Sequence, residues 1–276
     1  MTNFSVLLPV YIGDRAEFFE RAIRSATIEQ TLPPTQLVVV CDGPITPQVH
    51  ALLAKAQSAA GANLIGKTKL TVIATPENHG LSHALNLGLE ACEYDIVARA
   101  DADDISLPER FAKQIPYIES GYDLVGSALT EFTDNENERG LTRKMPETAA
   151  EIRKAARLRD PFNHPTVVYR ASKIRECGKY QHVNHMEDYW LFARMISAGV
   201  RCINLSDSLV LYRIGAGAYS RRGGITMLRS EFDLQRKLYH LGITSRLDLV
   251  KISCCAADTE LSPDSCGKSS TAPSGN

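Results

Sequence analysis

Tyr94-Asp95-Ile96-Val97-Ala98-Arg99-Ala100-Asp101-Ala102-Asp103-Asp104 is the stretch whose reading decides the fold. A strand-like run, Tyr94 to Ala100, stops where three carboxylates begin, and Leu107-Pro108-Glu109-Arg110 then opens a helical pattern. Three mutually repelling acids at the carboxyl end of a strand stay ionised together only if a cation or hydrogen bonds hold them. A divalent ion carrying phosphate oxygens meets that need, because hard oxygen ligands suit magnesium and manganese. The competing reading is a helix start, in which Asp104 favours the first turn of the helix that follows.

Outward from that stretch, the same strand-then-helix grammar repeats. Phe4 to Val10 reads as a first strand and Ala16 to Glu29 as its helix. Leu37-Val38-Val39-Val40-Cys41 is a continuous apolar run, the mark of a parallel strand covered on both faces. It ends at Asp42-Gly43-Pro44, and Thr46-Pro47 resembles a helix cap with proline in the first turn. Leu70 to Thr75 gives a third strand, and Leu81, Leu85 and Leu89 share one face of a helix over Gly80 to Cys92. Four such alternations predict an α/β, doubly wound sheet, where ligands gather beyond the carboxyl ends of the strands. Val10, Asp42, Glu77-Asn78 and Asp101 all fall there.

Further on, the pattern predicts a helix to Glu119, a strand over Asp123 to Ser127 and a polar hairpin tip over Asp134 to Gly140. Helices follow at Glu147 to Arg159, Glu187 to Ala198 and Ser230 to His240, with strands at Thr166 to Tyr169 and Leu209 to Arg213. After Ile252 the small polar composition is that of a disordered tail, 252–276. The chain thus divides into a ligand-binding α/β part, 1–126, and a second part of the same domain, 127–247.

The 276 residues are 44% hydrophobic and 23% charged, which fits a full core. A net charge of -1 removes any global attraction to nucleic acid. No run approaches the ~18 apolar residues of a membrane span, and the first residues lack a signal-peptide pattern. Seven cysteines without a C-x-x-C pair read as free thiols in a reducing compartment, so a cytoplasmic location is expected.

Several side chains carry candidate chemistry. Asp42 can accept from a nucleobase or ribose, or merely close an Asx-turn. Asn78 and Gly80 sit in an analogous loop, and Arg99 either contacts ligand or neutralises the acids. Glu187-Asp188 opens a helix, where a carboxylate gains from the helix N-terminus and its pKa is expected to fall. An acceptor hydroxyl needs a carboxylate to take its proton, and Asp188 is the candidate, with a plain capping role as its rival. Asn163-His164-Pro165 precedes a strand and borders the same region. His182, His185 and Glu187 do not form the H-E-x-x-H pattern of a zinc site. Arg213, Arg221 and Arg222 flank a glycine-rich segment, Gly215 to Gly224, suited to closing over a diphosphate.

Taken in order and spacing, these elements resemble family 2 glycosyltransferases, inverting enzymes of GT-A fold that build bacterial O-antigen, capsule or exopolysaccharide. The resemblance rests on Ser5 to Tyr11, Val40-Cys41-Asp42-Gly43, Glu77 to Leu81, Ala98 to Asp104, Asn163 to Thr166, Met186 to Tyr189 and Leu211-Tyr212-Arg213. It implies a Rossmann-like, mostly parallel sheet flanked by helices, with a small acceptor-side subdomain. Pro9, Val10 and Asp42 would contact the base, Asp101 the ribose and metal shell, and Asp103 a Mn2+ or Mg2+ on the diphosphate. Asp104 and Arg99 would lie near the donor sugar, Asn78 and Arg213 would complete the nucleotide-sugar contacts, and Asp188 would be the base. His164 and Glu187 would border the acceptor. The donor would be a UDP-hexose, with galactose or glucose in view, and the acceptor an oligosaccharide or undecaprenyl-diphosphate-linked saccharide. Such an acceptor is made at the inner face of the cytoplasmic membrane, where the basic residues at 153, 154, 157, 159, 170, 173 and 175 could meet anionic lipid. A sugar-1-phosphate nucleotidyltransferase is the first rival, although its phosphate loop is missing at Pro9 to Arg15; a non-catalytic carbohydrate-binding module is the second.

Overall fold

Four parallel strands fix the architecture: β1 (Ser5–Val10), β2 (Gln36–Cys41), β3 (Lys69–Ala74) and β4 (Ile96–Arg99). The computed structural model describes residues 2–58, 61–215 and 225–245, with 225–228 described by backbone alone. The Gly215 to Gly224 loop with Arg221 and Arg222, apart from Gly215, and the tail after Ile252 lie outside the described residues.

In the sheet the strands run β3-β2-β1-β4, so the order reverses between β1 and β4 and leaves a crevice at their carboxyl ends. Beyond β4 come β8 (Val168–Arg170), β6 (Leu124–Phe132), β9 (Cys202–Arg213) and β5 (Ile105–Ser106), with β7 (Arg139–Arg143) hairpinned onto β6. β8 lies antiparallel to both β4 and β6, which makes the sheet mixed. The β6–β9 register shifts at Ser127 to Leu129, where the pairing is irregular. β5 follows β4 closely in sequence yet lies at the far end of the strand order.

The period of two along each strand explains why helices cover both faces. Val6, Leu8, Val10, Leu37 and Val39 point into one core with Phe19, Ile23, Val49 and Phe111. Leu7, Val38 and Val40 point into the other with Leu85, Leu89, Leu191 and Phe192. The first layer holds α1 (Ala16–Ala26), α2 (Pro47–Gln57), the single turn α3 (Ala62–Ile65) and α5 (Arg110–Glu119). The second holds α4 (Leu81–Ala91), α6 (Ala149–Ala155), α7 (Ala171–Glu176) and α8 (Glu187–Ser197), and α9 (Ile225–His240) packs on α8. α4 sits close on the sheet because Gly88 faces β1: a Cβ there would come within 2.1 Å of Leu7.

Two strands outrun their expected lengths. β9 begins at Cys202 rather than Leu209, because exposed Ser206 and Asp207 break the apolar pattern while pairing with β6 continues around them. β6 continues to Phe132, carrying the buried Glu131 whose carboxylate meets Arg143. α6 is shorter than expected, starting on a Thr148–Glu151 capping box. The four described cysteines are free, as expected. Among the described residues no helix is long and apolar enough to cross a membrane.

Candidate active site

Where β1, β2 and β4 end, their last residues and the following loops enclose a cleft of about 420 Å³. Pro9, Val10, Asp42, Asn78, Arg99, Asp101 and Asp103 line it, all foreseen from the sequence. Tyr11, Asp14 and Leu81 line it too and were not.

Asp42 builds one wall. Its two carboxylate oxygens accept the backbone N–H groups of His79 and Gly80, each at 2.9 Å, while the Asn78 amide donates to the Asp42 carbonyl at 3.1 Å. The acid is therefore neither a free base contact nor an Asx-turn acid alone; it clips the loop after β3 to the end of β2. Two accepted bonds leave further lone pairs on a carboxylate for a ligand. Gly43, at φ +81°, lets the two loops touch, since a Cβ there would lie 2.7 Å from the Asn78 nitrogen.

The acidic turn builds the opposite wall, with a buried charge cluster behind it. Asp101 pairs with the Arg99 guanidinium, which is buried to 1% exposure. Burial raises the Asp103 carboxyl, against the pull of its own backbone N–H, Arg213 and Arg99. Burial likewise raises Asp14 to about 6, eased by the Tyr11 N–H and aggravated by Asp103. Among the described residues no three His, Cys, Asp or Glu side chains are arranged to hold an ion by themselves. Asp14, Asp101 and Asp103 nonetheless bring carboxylate oxygens to this one cleft.

Asp104 and Arg213 are not among the side chains that line the cleft; they hold one another and the acidic turn. Asp104 accepts the Arg213 backbone N–H at 2.9 Å, and its other oxygen is buried with no partner among the described residues. The Arg213 guanidinium donates to the carbonyls of Asp103 and Thr133 and stacks on Phe18 and Phe132. It ties the acidic turn to β9. Arg110, also buried, donates to the Arg99 carbonyl at 2.7 Å and to Ser106, anchoring the turn from the other side.

Asp188 lies on the first turn of α8, within electrostatic reach of Arg99. It is not the cap: that position is Met186, without a side-chain bond, and Asp188 Oδ1 accepts the Tyr189 N–H at 2.8 Å. The expected fall in its pKa is reversed. Burial, then Glu187, push the carboxyl up to about 6, against the Tyr189 and Asp188 N–H groups and Arg99. The side chain keeps 27% of its surface exposed, so a substrate hydroxyl can reach it. His164, on the one-turn 3-10 helix His164–Thr166, places Nδ1 3.8 Å from Asp188 Oδ2. Burial and the nearby Arg99 hold its imidazole neutral, well below the usual histidine range.

The basic run divides. Arg170 pairs with Asp95 and Asp123, Lys173 with Glu176, and Arg175 with Glu90, so these three are not free for lipid. Arg153, Lys154 and Arg159 are exposed, with no carboxylate partner among the described residues.

Comparison with known proteins gives the family and the fold. A family model for glycosyl transferase family 2 matches residues 5–182. The amylovoran biosynthesis glycosyltransferase AmsE of Erwinia amylovora is 40% identical over 84% of this chain and 84% of its own. A UDP-Gal:alpha-D-GlcNAc-diphosphoundecaprenol beta-1,3-galactosyltransferase of Escherichia coli is 30% identical over 90% of this chain and 87% of its own. Among solved structures, S. aureus TarS 1-349 in complex with UDP superposes with a TM-score of 0.65 at 19% identity, over 93% of this chain and 70% of that one. That likeness carries the GT-A-like fold, a central sheet flanked by helices. By family match and by relatives along most of its length, the chain belongs to glycosyl transferase family 2.

Proposed function

We propose that this glycosyltransferase moves a hexose, by inversion, from a UDP-sugar to a hydroxyl of a lipid-diphosphate-linked or oligosaccharide acceptor in bacterial surface polysaccharide synthesis. The observation that carries the reading is the buried Arg99 guanidinium, which pairs with Asp101 and lies within electrostatic reach of Asp188. Asp101 and Asp103 line the cleft at the strand ends, and the Asp188 carboxyl on α8 is raised to about 6. The relatives support the substrate class: one is named for a UDP-galactose donor and a diphosphoundecaprenol acceptor, another for amylovoran. Galactose is the first donor to try, with glucose beside it. With family membership the nucleotidyltransferase and carbohydrate-binding readings lose their footing.

In this mechanism Pro9, Val10 and the Asp42-clipped loop hold the nucleoside. Asp103, with Asp101 beside it, would hold Mn2+ or Mg2+. Such an ion, when bound, neutralises charge gathering on the leaving diphosphate. Asp188 takes the proton of the acceptor hydroxyl, whose oxygen forms a bond to the anomeric carbon as the bond to UDP breaks. Its raised pKa makes it a stronger base than an exposed aspartate while leaving it ionised at neutral pH.

The test uses two variants and a panel of UDP-sugars. Asp103→Asn should lose manganese-dependent donor binding by calorimetry. Asp188→Asn should bind donor as the parent does while transfer falls by about 10²- to 10⁴-fold. Transfer at the parental rate by Asp188→Asn removes the base assignment, and a product that keeps the donor's anomeric configuration removes inversion.

A further inference from the structure

Tyr180 and His164 form a buried relay that ends on Asp188. His164 Nε2 lies 3.0 Å from the Tyr180 hydroxyl, and Nδ1 faces Asp188 Oδ2 at 3.8 Å. Both side chains are buried, at 8% and 3% exposure, and the imidazole edge is fixed against the Phe192 ring. A neutral imidazole has one donor and one acceptor nitrogen. Were Nδ1 the acceptor, its lone pair would oppose a carboxylate in a dry wall. The arrangement is favourable only with the proton on Nδ1, which requires the Tyr180 hydroxyl to donate to Nε2. Burial raises the Tyr180 pKa, so that proton stays in place at any working pH.

We propose that Tyr180 and His164 are positioning residues that set the orientation and basicity of Asp188. The proposal rests on Asp188 being the base. The backbone N–H of Tyr189 holds Oδ1 by a hydrogen bond, and the Nδ1–H of His164 turns its dipole toward Oδ2. At 3.8 Å the second contact is a charge–dipole interaction rather than a formed hydrogen bond, the loose geometry of a catalytic pair before its substrate arrives. The other charged or titratable groups facing Asp188 are Glu187 on α8, Asp160 before the 3-10 turn, Arg99 on β4 and Tyr180 itself. Of these, Glu187 and Asp160 oppose ionisation, Arg99 favours it, and the Nδ1–H dipole adds to Arg99.

The experiment measures kcat and KM of transfer across pH for Tyr180→Phe, His164→Ala, His164→Asn and Asp188→Asn in the full chain. Tyr180→Phe removes the donor that fixes the tautomer, and His164→Ala removes the dipole. Each should lower kcat, His164→Ala by on the order of 10²-fold as for a misplaced catalytic group. Each should also leave the UDP-sugar KM unchanged and move the acid limb of the profile to higher pH. His164→Asn presents an amide N–H near the Nδ1 position and should recover a large part of kcat. An unchanged acid limb in Tyr180→Phe and His164→Ala, with Asp188→Asn inactive, overturns the relay and leaves the base standing. Full transfer by Asp188→Asn overturns the base itself. A rise in donor KM with kcat intact assigns the pair to the donor site and also overturns the relay. If His164→Ala does not fold, Tyr180→Phe and His164→Asn still decide the matter.

Discussion

At the residue scale, the informative groups are those whose surroundings oppose their charge. Asp188 takes its proton at about 6 instead of 3.8, chiefly because protein covers it. As the base it must be ionised, so kcat should fall tenfold for each pH unit below about 6 and level off above it. A pH–rate profile with no acid limb between 5 and 7 would contradict the assignment; those bounds are about one unit either side of the shifted value. The same shift has a stability sign. Folding raises this pKa, so the stabilising contribution of the protonated form is full below 3.8 and is lost as pH rises through about 6. Above that pH the ionised carboxylate opposes folding, and Asp188→Asn should gain on the order of 2 kcal/mol at pH 8. Chemical denaturation at pH 8 and pH 4 checks this, with the gain confined to the higher pH.

The decisive element is the pair of loops at the ends of β2 and β3. Asp42 and Gly43 belong to one and Asn78 to Gly80 to the other, and each depends on the other for its shape. Gly43→Ala places a methyl within 2.7 Å of the Asn78 backbone at φ +81°. The loops must separate, at a cost of about 1–3 kcal/mol for a strained backbone position. The UDP-sugar KM should rise while kcat stays near the parental value, because the base lies elsewhere. Unchanged donor affinity in this variant would show that the loop pair does not shape the nucleoside site. α1, by contrast, is an ordinary amphipathic helix whose inward face of Phe19, Ala22, Ile23 and Ala26 needs no function to explain it.

Over the whole molecule, a net charge of -1 hides an uneven surface. Arg153, Lys154 and Arg159 stand with exposed Leu158 around the end of α6, with no ion-paired carboxylate among the described residues, although Glu147 and Glu151 lie on the same face. Arg170, Lys173 and Arg175 are committed to ion pairs elsewhere. A peripheral contact with anionic lipid would therefore centre on the end of α6, each cation adding about 1 kcal/mol near a charged surface. Co-sedimentation with phosphatidylglycerol vesicles should be strong at low salt and drop several-fold in Arg153→Glu/Lys154→Glu, with transfer to a soluble acceptor unaffected. Equal sedimentation of parent and variant would remove this face from consideration.

The local pattern of the chain settled the four parallel strands, their helices and the strand ends at which Asp42, Asn78, Arg99, Asp101 and Asp103 meet. That much is legible because burial on both faces writes a continuous apolar run and because ligands collect where such strands stop. The Asp14 carboxylate was within reach of the same logic, one turn past β1. What the linear chain could not show is whatever depends on distant segments meeting. Asp104 and Arg213 meet across 109 positions, a contact no local pattern announces. The pKa of Asp188 rose where the helix N-terminus alone would have lowered it, because burial and Glu187 outweigh a helix end. The Tyr180 hydroxyl reached His164 only because α7 and the 3-10 turn pack onto one core. Periodicity determines which residues are buried; only the packed structure determines what each buried charge has beside it.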